Sequence, residues 1–336
     1  MFFLNKTFIL CISLLISLFL TRDDQRQFTI HGYAQGTDYT VKYFAKDSSI
    51  TKTEIDSILL VIDSSMSLYK PYSSICKFNS SGNGLTLDAH FRKVIRKSFE
   101  IHKTTSGKFD VTVAPLVQAW GFGAEAVQEF PDSAEVKKLL KSVGMKHLRL
   151  KGSFLQKDQA DVRIDLNGIA QGYSVDVVAD HLLKRGIRSF VVEIGGEIRM
   201  KGPKPDGSPL RIGIEGPATA DNPEPAIRHV VSINDGAITT SGNYRKFLQK
   251  GAKKIAHLID PGTGYPLDNQ MISVTVYAKD AITADGYDNA LMAMTVKEAL
   301  TFVDNKRGLE AYLIYHREDG KIADTLSRGF RKLIIN

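Results

Sequence analysis

Phe190-Val-Val-Glu-Ile-Gly-Gly-Glu-Ile-Arg-Met-Lys201 is where the rhythm of this 336-residue chain changes. Phe190–Ile194 reads as an apolar strand ending at Gly195-Gly196, and Ile198–Lys201 as the next strand. Two glycines in such a place signal a bulge or a ligand lying against the backbone. Before this stretch, helical and strand patterns alternate; from Glu197 onward the pattern is mainly β. Without a regular βαβ repeat, the order of elements predicts an α+β fold rather than a doubly wound sheet.

Working outward, Phe28–Phe44 alternates apolar and polar residues around Gly32 and Gly36, as a strand pair does. Lys52–Leu68 is predicted to be a helix with Ile55, Ile58, Leu59, Ile62 and Met66 on one face. Leu87–Lys103 reads as a second helix, with Phe91, Val94, Ile95 and Phe99 inward, and Ser133–Val143 as a third that Gly144 stops. Val162–Leu166 reads as a strand and Gln171–Lys184 as a helix. Downstream, Leu210–Ile214, His229–Ile233, Lys254–Ile259, Ser273–Ala278, Ala311–Tyr315 and Lys332–Ile335 read as strands. A helix is predicted from Asp285 to Met294, and Thr295-Val-Lys-Glu298 has the form of a capping box opening another.

Hydrophobic residues make up 43% of the chain, enough for a sizeable core, and charged residues make up 24%. The net charge of +7 comes from scattered residues. Arg92-Lys93, Arg96-Lys97 and Lys137-Lys138 sit at helical spacing beside apolar partners, as on a solvated face. With neither a basic stripe nor an aromatic module, nucleic-acid binding is excluded as a reading. Lys6 precedes an apolar run, Thr7–Leu20, and then Thr21-Arg-Asp-Asp-Gln25, the layout of a secretory signal. Phe19 and Leu20 stand where a cleavage site needs small residues, and Phe8-Ile-Leu10 before Cys11 lacks the small residue of a lipid-attachment site. The expectation is an uncleaved membrane anchor over residues 1–21. Residues 22–336 would then lie outside the cytoplasm, with Cys76 as the body's one cysteine and no disulfide framework.

Phosphate loops of the Gly-x-x-x-x-Gly-Lys type, dinucleotide Gly-x-Gly-x-x-Gly turns, His-Glu-x-x-His and Gly-x-Ser-x-Gly are all missing. Five segments hold chemistry instead. Asp165-Leu-Asn-Gly-Ile-Ala-Gln-Gly172 reads either as a phosphate site at a helix start or as a strand–turn–helix junction with a capping acid. Glu193-Ile-Gly-Gly-Glu197 is either a bulge or a ligand approach. In Thr239-Thr-Ser-Gly-Asn-Tyr-Arg245, Arg245 either meets a phosphate or pairs with an acid. His257-Leu-Ile-Asp-Pro-Gly-Thr-Gly-Tyr-Pro266 places an imidazole where a strand meets a glycine-rich turn. Ala284-Asp-Gly-Tyr-Asp-Asn-Ala-Leu291 is read with Asp285, Asp288 and Asn289 in the opening turn of a helix, buried through Tyr287, Ala290, Leu291 and Met294. An imidazole with a cluster of hard oxygens suits a metal-assisted reaction at phosphorus.

Taken in order, these blocks resemble the FAD:protein FMN transferases, the ApbE-type flavin transferases. Met66–Asn79 and Phe109-Asp-Val-Thr-Val-Ala-Pro-Leu-Val-Gln-Ala-Trp-Gly-Phe-Gly123 supply two further matching segments, and the resemblance runs over most of residues 29–316. It implies an α+β fold with antiparallel-rich sheets and packed helices, in a single catalytic unit over residues 22–336. It also implies an extracytoplasmic Mg²⁺ enzyme on the periplasmic face of the inner membrane. Such an enzyme splits FAD, places FMN on a threonine of an acceptor protein, and releases AMP; FMN-carrying subunits of membrane electron-transport systems are the implied acceptors. Carried over by position, the metal ligands are the Ala170 carbonyl, Asp285 and Asn289, with Asp288 as a candidate, and His257 is the candidate base. Tyr69 and Asn79 border the flavin, and Asp165, Gly195, Gly196, Glu197, Ser241, Gly242 and Tyr244 line the nucleotide. Gln171 stands where the family usually has Lys, and Asn289 where it usually has Thr. Two other readings stay open: hydrolysis of FAD to FMN and AMP, and flavin binding without catalysis.

Overall fold

The computed structural model describes residues 25–217, 226–243, 247–250 and 253–335. The expected anchor over residues 1–21, Tyr244 and Arg245 lie outside them. Eight strands form one sheet in the order β1-β2-β6-β7-β10-β13-β14-β15. They span Arg26–Ala34 (β1), Thr37–Ala45 (β2), Phe190–Ile194 (β6), Glu197–Lys201 (β7), Asp235–Gly242 (β10), Met271–Ala278 (β13), Glu310–His316 (β14) and Ile322–Leu326 (β15). Every neighbouring pair is antiparallel, so the mixed α+β reading holds, and the break in rhythm at Glu197 lies inside one sheet. Three strands, Gly84–Thr86 (β3), Leu148–Lys151 (β4) and Phe154–Lys157 (β5), make a small sheet, while Arg211–Glu215 (β8) pairs with Ile227–Ser232 (β9), and Phe247–Lys250 (β11) with Lys253–Ala256 (β12).

The described helices are Lys52–Met66 (α1), Ser74–Ser80 (α2), Ala89–Thr104 (α3), Ala114–Ala119 (α4), Ser133–Leu139 (α5), Ala170–Lys184 (α6), Ala281–Met292 (α7) and Val296–Asp304 (α8). Among them, none is long and apolar enough to cross a membrane. Their starts follow local chemistry. Thr51 with Glu54 and Thr295 with Glu298 form reciprocal capping boxes for α1 and α8. One face of the large sheet packs on α6 and α7 in the main core, where Val41, Val192, Val274 and Val276 meet Val175, Val178, Tyr287 and Leu291. The opposite face is covered by β8 and β9 through Ile214, Val231, Tyr312 and Phe330. A third cluster of Leu116, Trp120, Val136, Val143 and Ile259 supports the segment after β12. All three are assembled from residues 39–330.

Several elements depart from the sequence-based expectation. Gly195-Gly196 is not a bulge but a two-residue hairpin turn between β6 and β7, with φ of +62° and +110°. Only glycine takes both angles without strain, which is why the pair sits there. Val162–Leu166 is extended but joins no ladder; the Asn79 side chain accepts from Ile164 N at 2.8 Å and donates to Ile164 O at 2.9 Å, standing in for a neighbouring strand. Lys254–Ile259 yields only β12, with Ile259 in a single bridge to Pro266, and Lys332–Ile335 becomes a 3₁₀ turn with a bridge from Ile334 to Val231. The helix expected from Asp285 begins four residues earlier, at Ala281, because Asp280 accepts from Thr283 N and is its N-cap.

Candidate functional site

That earlier start changes what the acids of α7 mean. Asp285 and Asp288 are not first-turn acids favoured by the helix dipole; they lie mid-helix and are 3% and 1% exposed. A carboxylate there has no solvation and no dipole to stabilise it, so its retention needs another cause. α7 crosses α6 where both carry small residues. A Cβ added to Gly172 would strike the Ala281 carbonyl and the Asp285 side chain. Ile169 precedes α6 without a side-chain cap, and the Gly172 N–H donates to Asp285 Oδ2 at 2.8 Å.

Around this contact the oxygens gather. Asn289 Nδ2 donates to Asp288 Oδ1 at 2.9 Å, to Asp285 O at 3.0 Å and to Gly168 O at 3.3 Å. Its Oδ1 faces the Ser241 hydroxyl of β10 at 3.5 Å. The Ala170 carbonyl, in the same first turn of α6, accepts from Ser174 Oγ at 2.9 Å. Gln171 Nε2 donates to Ile194 O at 3.1 Å and lies against Gly195, tying the β6–β7 turn to the start of α6. Asp285, Asp288, Asn289, the Ala170 turn, Gly195, Ser241 and, through its charge on Asp288, Glu197 thus share one neighbourhood.

The electrostatics of the two acids are unbalanced. Burial pushes the Asp285 carboxyl up to about 7; the Gly172 N–H opposes the rise and the Asp176 charge adds to it. Asp288 is raised well above the usual carboxylate range by burial first and then by the charge of Asp285, with Thr239 opposing. No cationic side chain acts on either acid among the described residues. A pair of buried, mutually repelling carboxyls with carbonyl and amide oxygens beside them is a hard-oxygen donor set. Among the described residues no three His, Cys, Asp or Glu side chains group as a metal cage. Asp285, Asp288 and the oxygens beside them could hold a small divalent cation only if it kept several waters.

Asp176 went unremarked in the sequence and proves central. Buried in α6, it accepts from Ala281 N and Ile282 N at 2.9 Å each, so a second acid holds the start of α7. Arg199 of β7 pairs with it at 3.0 Å and with Asp180 at 3.1 Å. Burial pushes the Asp176 carboxyl up to about 6, against its two backbone donors and Arg199. The clue was an acid within the apolar face of α6, between Val175 and Val178.

The remaining predicted residues have local contacts of their own. Asp165 is half-buried and its Oδ1 accepts from Asn167 N at 2.7 Å, a local turn rather than a cap of α6; burial pushes its carboxyl up to about 6. Asp165 N donates to Val111 O at 2.8 Å, which joins this turn to the Phe109–Gly123 segment. That segment also holds the His257 turn: Trp120 Nε1 donates to Gly264 O at 2.8 Å, and the Phe122 ring meets the His257 ring edge-on at 6.3 Å. Asp260 Oδ1 closes the turn from Gly262 N at 2.7 Å and Thr263 N at 3.0 Å. Gly242 ends β10 opposite Ser273. Asn79 has its amide committed to Ile164, and Tyr69, in the loop between α1 and α2, is 64% exposed.

The profile of the ApbE family matches residues 35–313. The FAD:protein FMN transferase of Vibrio cholerae is 36% identical over 88% of this chain and 89% of its own length. That of Haemophilus influenzae is 35% identical over 97% and 96%. The solved flavin transferase ApbE from Vibrio cholerae superposes with a TM-score of 0.84 at 35% identity, covering 92% of this chain and 99% of that one. The apo form of the Pseudomonas stutzeri flavinyl transferase ApbE gives 0.82 at 30% identity, over 92% and 97%.

Proposed function

The chain belongs to the ApbE family, and from that premise we propose that it is an FAD:protein FMN transferase whose acceptor is a threonine hydroxyl and whose reaction depends on Mg²⁺. The observation that carries the metal-dependent part is the buried Asp285–Asp288 pair, uncompensated by any cation among the described residues and joined to the start of α6 by the Gly172 N–H. A bound Mg²⁺ would neutralise charge developing on the FAD pyrophosphate. Asp285 and Asp288 would hold it, with the Ala170 carbonyl and, after rotation of its amide, the Asn289 oxygen.

In the transfer, the acceptor hydroxyl oxygen forms a bond to the FMN phosphorus as the bond from that phosphorus to the bridging oxygen breaks, and AMP leaves with the bridging oxygen. His257 would take the hydroxyl proton. Its edge-on contact with Phe122 and the Trp120 bond to the following turn support that imidazole's place beside the Phe109–Gly123 segment. Gly195, Gly196 and Gly242 carry no side chain and let the backbone approach the nucleotide. Gln171 supplies a neutral amide beside the turn, so phosphate charge there is left to the metal site. Localisation on the periplasmic face, with residues 1–21 as anchor, belongs to the same proposal.

The test is incubation with FAD, Mg²⁺ and an acceptor bearing the flavinylation threonine, read by mass spectrometry. An FMN-sized increase on the threonine with stoichiometric AMP is the expected result. AMP without a labelled acceptor would make the protein a pyrophosphatase, and FAD binding without AMP would end both enzymatic readings.

A further inference from the structure

The strand ends opposite the Gly195-Gly196 turn lie together at one corner of the large sheet. There β1 begins, β2 ends, β6 begins and β7 ends. Phe44 N donates to Ser189 O at 2.9 Å, Ser189 Oγ donates to Pro203 O, and Arg26 Nη2 reaches Lys46 O at 3.4 Å. These bonds knit the loops after β2, before β6 and after β7 into one corner. It displays Arg26, Lys46, Lys184 and Arg188, all exposed, and Lys204, half-buried. The acids of the same loops are Asp47 and Asp206, while nearby Glu54 and Asp180 are already paired with Arg185 and Arg199. Arg22, Asp23 and Asp24, which precede β1 in the sequence, add one more acid than cation, and the corner with them is still net positive.

Two further observations say what it faces. The apolar run ends at Leu20 and β1 opens at Arg26, so the intervening residues 21–25 reach about 20 Å at most when fully extended. Whatever holds the apolar run holds this corner within that distance. The candidate site sits at the other end: α6 starts beside Gly195 and runs 15 residues to Lys184, a span of about 22 Å.

We propose that this corner is a docking surface for anionic phospholipid headgroups, setting the body upright with the metal-site end of α6 turned away from the bilayer. The proposal rests on residues 1–21 being a membrane segment. A short tether alone would leave the body free to roll; adjacent cations next to its exit point favour one orientation over an anionic leaflet. Each cation removed should weaken the docked state about fivefold, so a triple substitution weakens it on the order of a hundredfold.

The full chain would be mixed with neutral phosphatidylcholine vesicles and with vesicles containing phosphatidylglycerol, then followed by flotation and amide hydrogen exchange. Flotation with neutral vesicles reports the apolar leader; headgroup-dependent protection of residues 46–49, 184–189 and 203–207 reports the corner. Protection is expected on anionic vesicles only, lost in high salt and in the Lys46→Gln/Arg188→Gln/Lys204→Gln variant, which leaves the α6–α7 site untouched. Equal protection on both lipids, or an unchanged variant, would overturn the docking surface. A chain that does not float with neutral vesicles would remove the leader reading and, with it, the tethered docked state.

Discussion

Replacing Asp285 by Asn should make the protein more stable and catalytically inert at once. The carboxyl is buried, and its folded value of about 7 lies above the 3.8 of an unperturbed group. A carboxyl raised in this way binds its proton more tightly folded than unfolded, so folding stability falls as pH rises between the two values. At 1.36 kcal/mol per unit, the penalty approaches on the order of 4 kcal/mol by pH 8, and most of it accumulates between about pH 4 and 7. The substituted amide would still accept from the Gly172 N–H through its oxygen, losing about 1 kcal/mol of charge-assisted bonding, and would also relieve Asp288 of a neighbouring charge. The net expectation in EDTA is a gain of about 3 kcal/mol at pH 8, shrinking towards zero near pH 4. Urea unfolding across this pH range, with and without Mg²⁺, measures it. Added Mg²⁺ should stabilise the parent and not the variant, and FMN transfer by the variant should be undetectable. A variant less stable than the parent at pH 8, or one with the same pH slope, would refute the assignment of an uncompensated buried charge to this residue.

Other perturbations separate support from chemistry. Asp176→Ala strips the acceptor from two buried N–H groups at the start of α7 and from Arg199, and should cost about 3–5 kcal/mol in urea unfolding; a loss under about 1 kcal/mol would show that Asp280 alone positions the helix. His257→Ala should slow FMN transfer by at least about a hundredfold while FAD affinity, measured by flavin fluorescence, stays within about twofold; a collapse in affinity would make His257 a binding residue. Trp120→Phe removes the bond to Gly264 O and should lower kcat severalfold, whereas an unchanged kcat would show that this bond does not position the His257 turn. Lys157→Met leaves the carbonyls of Asn79, Ala160 and Val162 without their shared buried donor, and thermal unfolding should show a loss of about 2–4 kcal/mol.

What the sequence disclosed follows physical lines. Elements governed by local periodicity and caps were legible: α1, α3, α6 and the Thr295–Glu298 box are close to their predicted bounds. So was the absence of βαβ order, which left an antiparallel sheet within a mixed α+β fold. Segments whose structure depends on a distant partner were not. Val162–Leu166 has strand composition, yet its polar backbone is taken up by Asn79 and Lys157, so no ladder forms. β10, from Asp235 to Gly242, opens with turn residues and was passed over, although it lies between β7 and β13 at the centre of the sheet. For the site, residue types located Asp285, Asp288 and Asn289 correctly on one helix. Burial and the Asp176 contact could not be read, because both arise from α6 crossing α7 through Gly172.

The start of α7 at Asp280 also decides between two explanations of its acids. Were Asp285 and Asp288 in the opening turn, the dipole and solvent would account for both, at a gain of up to about 1 kcal/mol. At mid-helix, flanked by Ala284, Tyr287 and Leu291 in the main core, each is instead a net cost that a small apolar residue would abolish. The fold nevertheless accommodates them: Gly172 gives up its side chain to admit Asp285, Asp176 is buried to fix the helix end, and Arg199 is brought from β7 to balance Asp176 rather than Asp285 or Asp288. A cation on β7 neutralises the supporting acid and, among the described residues, none compensates the pair. That distribution of charge supports the proposed metal-dependent transfer, since a helix built only for stability would place the cation beside the pair.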